Sequence, residues 1–121
     1  MRDKIATFQM ACEAFNRSDF DGALELCDPE VSWLGDPRVS GARRRSGYER
    51  VRQYLETIPD YWLEMRLEPE SYHEAGEDRI LVMAELVART WRGGPEIRRR
   101  FDQIVTIRNG KIIGGQFIGD R

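Results

Sequence analysis

Residues 79–91 read RILVMAELVARTW, residues 96–108 read EIRRRFDQIVTIR and residues 111–118 read KIIGGQFI, with Gly93-Gly94-Pro95 and Asn109-Gly110 between them. Each run alternates apolar and polar side chains over part of its length and is rich in β-branched residues, the marks of a strand. Each break is made of residues that set a turn. Asn109-Gly110 is the strongest of these signals, because a type I′ two-residue hairpin needs positive φ at both central positions, which Asn and Gly tolerate. One segment earlier, Leu63 to Ala75 has the same character and is closed by Gly76–Asp78. The spacing predicts an antiparallel meander of four strands over Leu63–Ala75, Arg79–Trp91, Glu96–Arg108 and Lys111–Ile118.

Upstream the period changes. Ile5, Phe8, Cys12 and Phe15 recur at helical spacing, and Asn16 to Ser18 breaks the pattern. Asp19 can cap a second short helix carrying Phe20, Ala23, Leu24 and Cys27, which Asp28-Pro29 ends. Val31 to Leu34 reads as a strand and Gly35 to Arg45 as a loop. Ser46 with Glu49 reads as a capping box for a third helix bearing Tyr48, Val51, Leu55 and Ile58, closed by Pro59. The expected order is helix, helix, strand, helix and then the meander, an α+β domain spanning residues 1–121 with helices gathered on one face of the sheet.

Composition narrows the function. A chain of 121 residues buries roughly two-thirds of its unfolded surface, enough for a core without metal or disulfide staples. Lys and Arg number 19 against 21 Asp and Glu, so no global field recruits nucleic acid or an anionic membrane. Arg43-Arg44-Arg45 and Arg98-Arg99-Arg100 lack interleaved aromatics, and read as a solvated loop and an ion-paired strand. Cys12, Cys27 and His73 are too few for a Cys/His zinc site, and no metal or other cofactor is expected. The two cysteines read as small buried hydrophobes, and His73 as a strand-surface residue. No apolar run reaches the roughly 20 residues of a membrane span, and the polar start MRDKIATFQM lacks a signal-peptide core, so the expected compartment is the cytoplasm. Seventeen of the 19 basic residues are arginine, a skew typical of a GC-rich bacterial genome.

Four local spellings carry a resemblance: Asn16-Arg-Ser-Asp19-Phe-Asp-Gly22-Ala-Leu, Asp36-Pro37, Ser46-Gly47 at the third helix, and Asn109-Gly110-Lys111-Ile112. In this order they resemble the nuclear transport factor 2-like superfamily, also called SnoaL-like or cystatin-like. The resemblance implies a cone in which a curved sheet wraps a long helix and leaves an apolar pocket at the wide end. It also implies a homodimer through the outer sheet face. Its members include isomerases, cyclases, dehydratases and binding modules without catalysis. The closest enzymatic pattern is that of ketosteroid isomerase, which implies Asp36 as proton-transferring base and Asp102, eight residues before Gly110, as hydrogen-bond donor. The chain departs from that pattern at Ala11 and Leu55, where tyrosines would stand, although Tyr54 adjoins the second position. Arg98 and Arg100 beside Asp102 also favour its carboxylate form, which argues against steroid isomerisation in that form.

Two registers compete on the strands. Plain alternation sets Phe101, Val105 and Ile107 inward and Asp102 in water, whereas family spacing sets Asp102 in the pocket. Ile104 and Thr106 share the face of Asp102, and on that ground it is read into the pocket. In the same register Val82, Ala84, Leu86 and Ala88 form an apolar outer face for a dimer. Glu85, Val87 and Arg89 then line the cavity with Arg100 and Asp102, as a charge network suited to a polar or anionic group. The alternative is an ion-pair ladder on an exposed sheet face. Trp33, Tyr54 and Phe117 complete the expected pocket lining. Two functions follow. One is a cofactor-independent acid–base enzyme acting on a hydrophobic carbonyl compound through Asp36 and Asp102; the other is a non-catalytic ligand-binding or dimerisation module.

Overall fold

The computed structural model describes residues 2–35 and 44–120. Asp36, Pro37 and Arg43, and with them the proposed base and most of the expected loop, lie outside the described residues. The chain opens with α1 (Arg2–Asn16) and α2 (Phe20–Glu25), followed by β1 (Cys27–Leu34) and the two-residue β2 (Arg45–Ser46). Then come α3 (Tyr48–Tyr61), β3 (Trp62–Glu74), β4 (Arg79–Thr90), β5 (Ile97–Arg108) and β6 (Lys111–Asp120). The four long strands fall within two residues of their expected bounds at each end.

Each junction has a local cause. The Asp19 carboxylate accepts from Gly22 N at 2.9 Å and caps α2. The cap requires glycine there, since a Cβ at Gly22 would lie 2.3 Å from Asp19 Oδ2. Asn109 and Gly110 both adopt positive φ, 53° and 74°, and turn β5 into β6. Three expectations shift. β1 begins at Cys27, so Asp28-Pro29 lies inside the strand rather than ahead of it. The capping box at Ser46 is not formed: Ser46 belongs to β2, and Gly47, at φ 92°, is the N-cap of α3 without any side-chain cap bond. α3 also runs two residues past Pro59, because a proline in the last turn removes only one backbone bond.

The six strands form one sheet in the order β2-β1-β6-β5-β4-β3. Every neighbour pairs antiparallel except β1 with β6, which run parallel and bring the chain's first strand beside its last. The curved sheet packs its concave face on α1 and α3, giving an α+β cone around a long helix. Asn16 fastens α1 to the sheet, donating from Nδ2 to Leu67 O at 2.9 Å and accepting from Leu67 N at 2.8 Å.

The core settles the register. Ile80, Val82, Ala84 and Leu86 of β4 join Phe101, Val105 and Ile107 of β5 against Phe8, Cys12, Leu24 and Val51. The apolar row of β4 is therefore the inner lining of the cone, which corrects its expected use as a dimer face. A single layer of helices does cover it. No described helix is long and apolar enough to cross a membrane.

Candidate functional site

Between the concave face and the helices lies a cavity of about 160 Å³. α1 contributes Phe8 and Cys12, α3 contributes Tyr54 and Leu55, β1 contributes Trp33, and β5 contributes Phe101 and Gln103. The lining follows directly from the two periodicities: helical positions three or four apart from α1 and α3, and alternate positions from each strand. No Asp, Glu, His, Lys or Arg is among the described lining residues. Nor do three His, Cys, Asp or Glu side chains come together as a metal-binding group among the described residues.

Trp33 reaches the cavity over a backbone with no side chain in the way. It stands opposite Gly115 in the β1–β6 register, and a Cβ at Gly115 would lie 2.3 Å from Trp33 Cζ3. Tyr54 carries Arg45 on its ring face, with the guanidinium carbon 4.1 Å from the centroid. Arg45 is also the β2 partner of Trp33, so it sits beside the two lining aromatics without entering the cavity. Gly35, the last described residue before Asp36, lines the cavity as well. Phe117 packs against the core beside the cavity, its ring 5.8 Å from that of Phe101.

Both cysteines face this space as unpaired thiols. Burial pushes the Cys12 thiol up to about 12, with a smaller push from Glu13. Burial likewise raises Cys27 to about 11, against an opposing pull from Lys111. They are neutral, apolar lining at physiological pH.

Gln103 is the only buried polar residue among the described residues, 4% exposed, and its Nε2 has no hydrogen-bond partner. A buried donor left unpaired costs about 1–3 kcal/mol. Sequence reasoning passed it over in favour of its neighbour Asp102. The signal was present, since Gln103 sits in phase with Phe101, Val105 and Ile107, and a polar residue on an otherwise apolar face marks a site.

The remaining expected site residues are not in the cavity. Glu85, Val87 and Arg89 alternate with the core positions of β4, and Arg98, Arg100 and Asp102 with those of β5, so they lie on the convex face. There Glu85 takes Arg98 Nη1 at 2.9 Å and Arg100 Nε at 3.9 Å, and Arg100 also reaches Glu70 at 3.5 Å. Arg89 reaches Glu64 at 3.6 Å. Val87 is fully buried, flanked in register by Arg66 and Arg98, whose aliphatic stems can cover it. The charge network expected inside the cone is thus an ion-pair ladder on its outside. The physical reason is register: Phe101, Val105 and Ile107 gain more by burial than Ile104 and Thr106, and they carry Asp102 outward.

A curved sheet closed over two helices around an apolar cavity is the nuclear transport factor 2-like cone. The profile of the SnoaL-like domain matches residues 8–114, and the chain belongs to that family. No functionally curated protein matches the sequence. Among solved structures, the chain is similar to a nuclear transport factor 2-like protein of unknown function from Burkholderia pseudomallei, with 26% identity, a TM-score of 0.83 and coverage of 99% of this chain and 92% of that one. It is similar to TerC co-crystallised with polyporic acid, with 25% identity, a TM-score of 0.83 and coverage of 98% and 92%. A Mycobacterium tuberculosis protein in complex with estradiol-17beta-hemisuccinate shares the fold at 15% identity and a TM-score of 0.82, with coverage of 97% and 93%.

Proposed function

We propose that the chain is a small-molecule-binding SnoaL-like domain whose cavity takes a hydrophobic ring compound bearing one polar group. The carrying observation is the cavity itself: about 160 Å³ walled by apolar and aromatic side chains with a single buried carboxamide. A dry apolar cavity of about 150 Å³ is large enough for benzene, so this one accepts a ring and leaves substituents to extend past Trp33 and Tyr54. The likeness to TerC, crystallised with polyporic acid, supports the same reading. 1-Indanone titrated into the protein should bind and raise the melting temperature, whereas Ala11→Phe, which fills the cavity from α1, should abolish both effects. Binding that survives Ala11→Phe would refute the cavity as the site.

A catalytic reading, with an isomerase, cyclase or dehydratase moving a proton on a carbonyl compound without a cofactor, rests on Asp36. It is supported by position in the chain, since Asp36 follows Gly35, which lines the cavity. Asp102 is withdrawn as its partner. Asp36→Asn should keep ligand affinity and lower turnover of a bound carbonyl compound by roughly 100-fold; turnover that survives unchanged removes Asp36 as the base, and a screen in which no carbonyl compound is turned over leaves the binding module. Assembly is proposed as a homodimer through the convex face, where Leu81, Met83 and Ile104 are half-buried side by side. Sedimentation of a monomer at tens of micromolar would count against it. A bacterial cytoplasmic setting agrees with the arginine skew and with two unpaired cysteines.

A further inference from the structure

The cavity has one residue that hydrophobic packing does not explain. Gln103 stands on the concave face of β5, between Phe101 and Val105, opposite Val82 of β4 and Phe117 of β6. It lines the cavity, is 4% exposed, and its Nε2 is buried without a partner. Each of its neighbours on that face is apolar. A leucine would fill the same volume with no donor to satisfy, so the amide lowers the stability of the empty protein.

We infer that the Gln103 amide is the specificity determinant of the site, donating a hydrogen bond to a carbonyl oxygen of the ligand. The inference rests on the reading of the cavity as a ligand site and names the chemistry that reading leaves open. A ring compound that places an oxygen acceptor toward β5 satisfies the donor; a hydrocarbon of equal shape fills the cavity but leaves it orphaned. The asymmetry is large because the orphan is buried in both the empty and the hydrocarbon-bound states. An ammonium at the same place has no lone pair for the Nε2 donor and leaves it unpaired. The amide does not titrate, so the preference is independent of pH across the neutral range, unlike one resting on a carboxylic acid.

The pair 1-indanone and indane tests this, since the two share a bicyclic skeleton and differ by one carbonyl. In ¹H–¹⁵N titrations the ketone should bind about tenfold more tightly than the hydrocarbon, and only the ketone should move a Gln103 side-chain amide proton downfield, as a new hydrogen bond does. Gln103→Leu should abolish or reverse the preference, chiefly by weakening the ketone, whose carbonyl is then buried without a donor. The same substitution should leave the melting temperature of the empty protein unchanged or higher, because it removes an unpaired donor. Equal affinity of the natural protein for both compounds, with binding observed, overturns the inference while the ligand-site reading stands. A marked loss of stability in Gln103→Leu assigns the amide a structural role and also overturns it. Binding of neither compound refutes the cavity as an apolar ligand site, and the inference falls with it.

Discussion

Gly115 decides where Trp33 can be. The indole lies over the bare backbone of β6, and the space it uses is the space a Cβ would take, 2.3 Å from the ring. Gly115→Ala therefore has to move either the ring or the strand. It should cost about 1–3 kcal/mol of stability and shift the tryptophan emission, read by chemical denaturation and fluorescence. A silent substitution would mean that the ring is free to swing. The cysteines carry a pH prediction. A thiol held at about 12 or about 11 keeps its proton in the folded chain beyond the ordinary value of 9.0, at which the unfolded chain releases it. Between those limits the folded state holds more protons, so stability should be level below about pH 9 and fall as pH rises through the window. Denaturation across pH 8–11 measures the slope, and Cys12→Ala together with Cys27→Ala should flatten it. Ellman's reagent at pH 8 should react far more slowly with the folded than the unfolded protein.

At the scale of elements, Asn16 joins α1 to β3 with two hydrogen bonds to one residue's backbone. Asn16→Ala should destabilise the protein by about 1–3 kcal/mol, and Asn16→Asp, which sets a carboxylate oxygen against the Leu67 carbonyl, should cost at least as much; a silent Asn16→Ala would deny the clasp. Asn16 was visible in the sequence as the end of a helical pattern and as part of a family spelling, whereas its partner Leu67 was an unremarked strand position fifty-one residues away. Strand bounds were legible because the turns are chemical: Asn109-Gly110 leaves the chain few alternatives. The end of α3 was not, since Pro59 limits a helix without stating in which turn it falls. Ser46 and Glu49 show the same limit from the other side. The residues of a capping box were present, but β1 claimed Ser46, whose hydroxyl lies 3.4 Å from that of Ser32.

Over the whole molecule, the sequence carried the cone but not its inside and outside. β4 has an apolar row and a mixed row, and either can face a helix layer. What separated them was the sum over neighbours: Phe101, Val105 and Ile107 pack with the apolar row of β4 and with α1, a cooperative choice invisible to any one strand. The candidate site was legible to the same degree. Trp33 and Tyr54 line the cavity as expected, while the five residues drawn from β4 and β5 went to the other face together, because a slip of one residue moves a whole strand's side chains at once. Gln103 is the counterpart of that error, one residue from Asp102 and opposite in every property that matters to a ligand.

The strand order ends at β3, which leaves one side of a thirteen-residue strand without a strand neighbour among the described residues. Such a margin invites another chain to add itself by main-chain pairing, the first step of aggregation. Here the outward rung at Leu67 is already occupied, its N–H and C=O both taken by Asn16. Two residues on, where the alternation turns the backbone outward again, the chain has Pro69, which has no N–H to offer. One amide side chain and one proline thus close consecutive rungs at the middle of the open margin. The bond that holds the helix to the sheet is also a guard against self-association, and its loss exposes a template as well as weakening a fold.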